Sequence, residues 1–311
     1  MGPGLDRGEG IATDTVAHET PSRPGPGRRL AAFFFHHPLA GLALLLSGPI
    51  GWLVLAYLGS LAVLFIAALW RLDPFTAEIV HDYSFDNFRL LWESDVYRKI
   101  ALRTIGIAAA VTVTDALLAL PIAFYMAKVA SPRTRALLGV AVLTPLWSSY
   151  LVKVYAWRIM LQENGLVNWA LDPFGLSGPG FGNVAVWLVM SYLWLPFMIL
   201  PVFAGFERIP DSLLEASSDL GGKALRTFGR VVLPLAFPAV VAGSIFTFSL
   251  TLGDFITPQL VSSTQFIANV VYVNVGVANN LPLAAAFATV PVVVMVLYLA
   301  LAKRLGAFDV L

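Results

Sequence analysis

The chain has 311 residues, of which 58% are hydrophobic and 13% charged, and its formal net charge at pH 7 is +1. A soluble domain averages about 45–50% apolar and about 25% charged residues, so this composition excludes a single water-soluble core and predicts a membrane protein. The near-neutral charge argues against a nucleic-acid partner, and the absence of cysteine excludes a disulfide framework and thiolate chemistry.

The N-terminal segment is the first feature along the chain. Residues 1–29 are rich in Gly, Pro, Thr and charge, which predicts disorder, and we assign residues 1–40 to a disordered cytoplasmic tail. Arg28 and Arg29 precede an apolar stretch, as in a twin-arginine export signal. The apolar run Gly41–Trp70 is much longer than the ~7–15 residues of a signal sequence, so we interpret it as a spanning helix.

Six apolar runs reach the length of about 20 residues that a spanning helix needs. They cover residues 42–70, 102–127, 136–157, 183–206, 235–257 and 282–302. A helix satisfies its own backbone hydrogen bonds, which hydrocarbon cannot do. We therefore predict an all-α membrane protein with six transmembrane helices over residues 41–305, followed by a short cytoplasmic C-terminus at 306–311.

The distribution of Lys and Arg predicts the orientation of these helices, because cytoplasmic loops carry an excess of both residues. With the N-terminus inside, basic residues concentrate in the inner segments around 128–135 and 207–230, while the outer loop 258–281 has none. Both termini and the loop 207–234 are therefore predicted to be cytoplasmic.

Two outer loops precede the fourth run. The loop 71–101 alternates aromatic and acidic residues, and its stretch SFDNFRLLWESD predicts a short amphipathic helix on the outer surface. The loop 158–182 contains GLSGPGFGN, which is typical of a turn-rich connection. Neither loop is large enough to form a soluble domain.

The inner loop 207–234 is unusually polar for this chain. Its stretch DSLLEASSDL predicts a short helix with Asp211 or Ser212 as N-cap, and Gly221–Gly222 should end that helix because glycine tolerates the left-handed conformation. A second helix, KALRTFGRVVL, should lead to Pro234. The first helix should have one apolar face, formed by Leu213, Leu214, Ala216 and Leu220.

The pattern of this loop leaves two interpretations open: an ordinary amphipathic interfacial loop, or a docking element whose small side chains let a partner surface approach closely. A nucleotide-binding loop is excluded although the chain reads GGK at 221–223. A Walker A loop needs glycine where the chain has Ser217, and serine or threonine where it has Ala224.

A resemblance to a known family favours the docking element. The stretch resembles the EAA motif of permease subunits in ABC importers, E-A-A-x-x-x-G followed after a spacer by x-L-P. The matching residues are Glu215, Ala216, Gly221, Leu233 and Pro234. Ser217 replaces the second alanine and keeps a small side chain. The stretches FDNFRLLWESDVYRKIALRTIGIA, PLWSSYLVKVYAWRIMLQENGLVN and LGDFITPQLV resemble permeases of the spermidine/putrescine type, and the similarity covers about residues 45–305.

This resemblance implies the type I ABC importer permease fold in a bacterial inner membrane, with a cytoplasmic coupling helix that docks on the ATPase. The implied partners are two ATP-binding cassette subunits, a second paralogous permease and an external solute-binding protein. ATP and magnesium would be bound by the ATPase subunits, and this chain would hold no cofactor and catalyse no bond chemistry. The implied coupling residues are Leu214, Glu215, Ala216, Ser217, Asp219, Leu220, Gly221 and Pro234.

Polar residues inside the spans mark candidate positions along a solute pathway, because they are expensive in hydrocarbon. An unpaired carboxylate at Asp254 together with aromatic faces would suit a polycation. The candidate pathway residues are Trp147, Tyr150, Tyr155, Tyr192 and Asp254. The alternative for the aromatic residues is a belt at the bilayer interface. Asp115 and Lys153 are also charged, and they either pair with each other or contact a neighbouring subunit.

The sequence thus indicates a permease subunit of an ATP-driven importer for polyamines or a related small organic solute, and it does not identify the solute. The alternative is a stand-alone secondary transporter, which should show inverted repeats with broken helices; we find no convincing repeat. An intramembrane enzyme has little support, because the chain has four histidines and no cysteine, and no metal-ligand spacing.

Overall fold

A computed structural model of the chain describes Phe35 and residues 38–304. Most of the predicted tail 1–40 and the C-terminal segment 306–311 lie outside the described residues. Contacts divide the chain into a unit ending at Ser60 and a unit beginning at Leu61. The packing described below is that of the second unit.

Helices dominate the described residues, as the composition predicts. They are α1 (Pro38–Trp52), α2 (Gly59–Ala67), α3 (Asp86–Glu93), α4 (Asp95–Phe124), α5 (Pro132–Trp147), α6 (Tyr150–Met160), α7 (Leu166–Leu171), α8 (Asn183–Glu207), α9 (Asp211–Asp219), α10 (Ala224–Thr227), α11 (Leu233–Gly253), α12 (Ile256–Val261), α13 (Ile267–Gly276) and α14 (Leu281–Arg304). Leu53–Leu58, Tyr125–Val129 and Phe228–Val232 form π turns, and Asp172–Phe174 forms a 3-10 turn.

Within the described residues, five continuous helices are long and apolar enough to cross a bilayer, and they confirm five of the predicted runs. They are Gly41–Ala67, Asp95–Val129, Asn183–Glu207, Ala224–Gly253 and Leu281–Arg304. The fold class is therefore the predicted all-α membrane architecture, with a sixth span if the bent pair α5–α6 is counted as one.

The predicted run over residues 136–157 forms a bent pair of helices, and the sequence analysis did not predict the bend. Helices α5 and α6 meet at an angle of 92°. The chain leaves the helical conformation at Ser148 (ψ 144°) and Ser149 (ψ 132°). Pro145 lies inside the last turn of α5 and has no backbone N–H to donate. The weakened turn and the two extended serines together break the span near its middle.

Small residues bring α8 and α11 close together in the core. Gly205 of α8 faces the Cβ of Ala239, and a Cβ added at Gly243 of α11 would lie 2.7 Å from Met198 Sδ and 3.2 Å from Met198 Cα. Close approach at small side chains is the usual way in which helices associate in membranes. The largest buried cluster includes Ala119, Ala123, Met126, Met198, Val202, Phe206, Val232 and Ala236. Helices α4, α8 and α11 thus form the centre of this unit.

Residues 125–135 and 207–232 lie at one end of these helices, and we call this end the basic end. There the ring of Phe124 meets Phe206 at 5.6 Å and Phe228 at 5.5 Å, both edge to face. The ends of α4 and α8 and the start of α11 are therefore packed against one another, and the loops that connect them lie side by side.

The loop 71–101 carries the predicted amphipathic helix, which is α3. The sequence analysis did not predict the hairpin before it, in which Arg71–Leu72 pairs with Ile79–Val80. In the hairpin turn the N–H groups of Phe75 and Thr76 donate to Asp73 Oδ1 at 2.8 and 3.1 Å. These two hydrogen bonds hold the pKa of Asp73 below its ordinary value.

Candidate functional site

Helix α9 is the short helix that the polar loop predicts. It begins at Asp211 after Pro210 and has no side-chain N-cap, so the predicted capping role of Asp211 or Ser212 is wrong. Asp211 is the first residue of the helix, and its carboxylate accepts a hydrogen bond from Lys128 Nζ at 2.7 Å. The side chain that was expected to cap the helix instead ties it to a different loop.

The end of α9 confirms the predicted glycine stop. Gly221 has a φ of +76°, a left-handed conformation that glycine adopts without strain. The N–H of Gly221 donates to Ser218 O and the N–H of Gly222 donates to Ser217 O, both at 2.8 Å. This pair of hydrogen bonds is the Schellman motif, and it turns the chain sharply toward α10.

A side-chain contact fixes this turn. Ser217 Oγ and Thr227 Oγ1 lie 2.8 Å apart and share a hydrogen bond. A Cβ added at Gly222 would lie 2.6 Å from Ser217 Oγ and 2.9 Å from Thr227 Oγ1, so only glycine fits there. The serine that departs from the family motif therefore joins α9 to α10.

The second predicted helix leads to Pro234 and on into the next span, as expected. Helix α10 continues through the π turn Phe228–Val232 into α11, so that Ala224–Gly253 forms one helix. Pro234 is the second residue of α11. A π turn changes the hydrogen-bond spacing locally, and the proline follows it without a break. The turn after α9 is therefore connected rigidly to a spanning helix.

The predicted coupling residues fall into two groups. Leu214 and Ser217 are half-buried, and the other six are exposed: Glu215, Ala216, Asp219, Leu220, Gly221 and Pro234.

Leu214 packs on the buried core cluster. Leu220 is 89% exposed and Leu225 of α10 is 85% exposed, so the expected single apolar face of α9 is wrong for Leu220. A cavity of about 500 Å³ beside these leucines is lined by Phe124, Leu214 and Phe228, among others. The α9–α10 turn thus presents an apolar surface that nothing in the described chain covers.

Two basic residues that the sequence analysis used only for orientation hold this loop in place. Lys128 Nζ donates to Ile209 O at 2.6 Å as well as to Asp211. Arg135 donates through Nη1 to Glu207 Oε1 at 3.2 Å. Nothing in the linear pattern distinguishes them from other loop cations.

Tyr150 and Asp254 were predicted as separate pathway residues, and the structure brings them together. Tyr150 Oη lies 2.6 Å from both carboxylate oxygens of Asp254. Thr257 Oγ1 donates to Asp254 Oδ2 at 2.6 Å, and the N–H groups of Ile256 and Thr257 donate to Oδ1 at 2.9 and 3.1 Å. The expectation of an unpaired carboxylate is therefore wrong, because Asp254 closes the turn between α11 and α12.

The predicted aromatic residues divide into paired and open rings. Tyr150 stacks on Trp194 with ring centroids 5.9 Å apart, and Tyr192 lies 5.5 Å from Trp157. Trp147 is 88% exposed and is the last residue of α5, directly before the break.

Tyr155 on α6 is 51% exposed, and its hydroxyl has no hydrogen bond to any residue that the structure describes. Trp194 was not among the predicted pathway residues, although it forms part of the Tyr150 contact.

The two other charged residues inside the spans do not pair with each other. Lys153 Nζ donates to Pro145 O at 2.9 Å, across the break between α5 and α6. Both carboxylate oxygens of Asp115 are buried without a hydrogen-bond partner among the described residues. Within the same part of the chain, no group of three His, Cys, Asp or Glu residues could hold a metal ion.

Comparison with known proteins agrees with this architecture. The profile of the family "Binding-protein-dependent transport system inner membrane component" matches residues 95–307. The chain is 47% identical over 309 residues to the inner membrane ABC transporter permease protein YdcU of Escherichia coli (strain K12), covering 94% of this chain and 98% of the relative. It is 30% identical over 257 residues to the spermidine/putrescine transport system permease protein PotB of the same strain, covering 80% and 92%.

Solved structures with the same fold include a bacterial alginate ABC transporter in complex with its alginate pentasaccharide-bound periplasmic protein. The TM-score is 0.69 at 17% identity, with 89% of this chain and 98% of that chain covered. A second alginate importer structure gives a TM-score of 0.63 at 19% identity. The predicted type I permease fold and the resemblance to spermidine/putrescine-type permeases are confirmed. The chain belongs to the binding-protein-dependent transport system inner membrane component family, and it is a permease subunit of an ABC importer.

Proposed function

We propose that this permease imports polyamines or a related small organic solute. The observation that carries the proposal is the 30% identity to a spermidine/putrescine permease over 80% of the chain. Open aromatic rings near the break between α5 and α6 support it, because a ring face attracts an ammonium group by about 0.5–2 kcal/mol. Trp147 and Tyr155 supply such faces, Tyr192 is paired with Trp157, and the Asp254 carboxylate acts indirectly by holding Tyr150.

We further propose that α9 is the coupling helix. Its exposed residues Glu215, Ala216 and Asp219, with the exposed Leu220 at its end, form a surface suited to a cleft on an ATP-binding cassette subunit. ATP binding would close the ATPase pair and displace α9, and the bundle would open outward to receive solute from the binding protein. Hydrolysis would then reset it.

The complete transporter in this proposal has two ATP-binding cassette subunits, a second paralogous permease and a periplasmic or extracellular binding protein. ATP and magnesium belong to the ATPase subunits, and this chain holds no cofactor. The basic end faces the cytoplasm together with both termini, because Lys and Arg cluster there. A stand-alone secondary transporter gains no support, since family members act with a binding protein.

Single cysteines test the docking surface and the orientation together, because the natural chain has no cysteine. Ser218→Cys places a thiol on α9, and Ser177→Cys is the control in the loop between α7 and α8; both positions are exposed. In membranes containing the whole transporter, Ser218→Cys should crosslink to the ATPase and Ser177→Cys should not. An impermeant thiol reagent should label Ser177→Cys from outside the cell and Ser218→Cys only in inverted vesicles. Reversed labelling, or no crosslink from α9, would refute the coupling assignment.

The solute class is tested with the cognate binding protein and the reconstituted transporter. Spermidine and putrescine should raise the melting temperature of the binding protein and stimulate ATP hydrolysis by the transporter. A neutral diol of similar length is the control and should do neither. If amino-acid derivatives stabilise the binding protein and polyamines do not, the polyamine assignment is wrong while the importer role stands.

A further inference from the structure

The loop between α4 and α5 touches the coupling helix through a lysine that lies in an unusual environment. The side chain of Lys128 is only 10% exposed, while that of its partner Asp211 is 75% exposed. Its ammonium group donates to Asp211 at the start of α9 and to Ile209 O at 2.6 Å in the turn before it. One buried cation thus holds both the first residue of α9 and the turn that leads into the helix.

Arg135, in the first turn of α5, makes a second set of contacts at the same end of the bundle. Its guanidinium donates to Met126 O at 2.9 Å and to Ala127 O at 2.8 Å, which are carbonyls in the π turn at the end of α4. The third donor reaches Glu207, the last residue of α8. Arg135 therefore joins the start of α5 to the ends of α4 and α8.

The chain alone connects α9 only to α8, through the turn 208–210, and to α10. The hydrogen bonds of Lys128 add the end of α4 to that set. Arg135 then joins the start of α5 to the ends of α4 and α8. Helix α5 leads to the break that precedes Tyr150. A displacement of α9 can therefore reach the candidate solute pathway through α5 as well as through α11.

We propose that Lys128 and Arg135 form a clamp that transmits movement of the coupling helix to α4 and α5. They are positioning residues, since Lys128 acts through α9 and Arg135 acts through the ends of α4 and α8. The clamp makes residues 125–135 and 207–219 move as one body during transport.

The two residues contribute unequally. The Arg135–Glu207 pair is partly exposed on both sides, at 40% and 43%, and exposed ion pairs contribute little. The Lys128 side chain is only 10% exposed, and its removal leaves Ile209 O without a donor and Asp211 without a counter-charge. Hydrogen bonds to charged groups are the stronger class, so we assign the larger effect to Lys128.

The inference rests on the proposed role of α9, and the test separates the two. Reconstituted transporters are assayed for spermidine molecules imported per ATP hydrolysed, a ratio that does not depend on how much complex assembles. Lys128→Met should lower this ratio about tenfold, because it removes charge-assisted hydrogen bonds. Lys128→Arg keeps both donors and should retain the ratio.

Arg133→Met is the matched control in the first turn of α5, since Arg133 has no hydrogen bond or ion pair to any residue that the structure describes. Asp211→Asn removes the negative charge from the same contact on the exposed side, and its ratio is the deciding measurement if Lys128→Met fails to assemble. An unchanged ratio in Lys128→Met and Asp211→Asn would overturn the clamp, even where the Ser218→Cys crosslink to the ATPase forms. Failure of Ser218→Cys alone to crosslink to the ATPase, with Lys128 and Asp211 unchanged, would instead overturn the role of α9.

A second readout does not depend on the identity of the solute. Spin labels on Arg133→Cys and Ser218→Cys report the distance between the first turn of α5 and α9 in the assembled transporter. This distance should stay constant when ATP is added, and it should become variable when Asp211→Asn is introduced. A distance that changes on ATP addition without that substitution would refute the clamp.

Discussion

The hydroxyl of Tyr150 joins two spans through Asp254, and its removal gives a well-defined prediction. Tyr150→Phe deletes the hydroxyl that lies 2.6 Å from each carboxylate oxygen of Asp254. The ring remains and can keep its stacking on Trp194. The substitution therefore isolates the hydrogen bond from the aromatic contact.

The expected magnitude follows from the other donors at the site. A hydrogen bond to a charged group contributes about 1.5–3 kcal/mol to stability. After the substitution, Asp254 keeps the Thr257 hydroxyl and the N–H groups of Ile256 and Thr257, so the carboxylate is not left unsatisfied. We therefore expect a loss near the lower limit, about 1.5 kcal/mol in the free energy of unfolding.

The assay is titration of the detergent-purified chain with sodium dodecyl sulfate. Tyr155→Phe is the matched control, because its hydroxyl has no hydrogen bond to a described residue; it should change the free energy of unfolding by no more than about 0.5 kcal/mol. Combining Tyr150→Phe with Asp254→Asn should cost less than the sum of the single changes. Equal unfolding energies for Tyr150→Phe and Tyr155→Phe would refute the assignment of this contact.

Three further predictions concern packing, titration and solute contact. Gly243→Ala should lower the free energy of unfolding by about 1–3 kcal/mol, because the added Cβ overpacks the core. Gly106→Ala is the control, since its added Cβ meets no atom within 4 Å, and it should raise the free energy of unfolding by about 0.5–1 kcal/mol. The same titration measures both variants. Because its pKa is lowered in the folded hairpin, Asp73 should stabilise that hairpin above pH ~4 and lose this effect as the pH falls further. A fall in the amide protection factors of the hairpin at acidic pH, absent in Asp73→Asn, would confirm it. Trp147→Ala should raise the KM for spermidine about two- to fivefold through a lost cation–π contact, and Trp169→Ala should leave it unchanged.

The helices and the glycine stop were predictable because they depend on local patterns. Length and apolar content identify the spans, since a bilayer imposes a minimum length on any helix that crosses it. Gly221 was predictable because a helix C-terminus often needs a left-handed residue, and the observed φ of +76° agrees. These inferences use only neighbours along the chain.

Contacts between distant residues could not be predicted in this way. Tyr150 and Asp254 are 104 positions apart, and Lys128 and Asp211 are 83 apart. Periodicity and composition carry no information about which polar side chains meet across a bundle. The same limit explains why Asp254 was expected to be unpaired and why the positive charge of Lys128 was used only to predict orientation.

The break between α5 and α6 has a consequence for how the subunit sits among its neighbours. Ser148 and Ser149 are exposed on this chain and have left the helical hydrogen-bond ladder in the middle of an otherwise apolar run. Lipid tails offer no donors or acceptors, and irregular backbone at that depth persists only against protein or water. The two serines therefore mark a strip that acyl chains do not touch: either the seam with another subunit or the wall of a hydrated lumen.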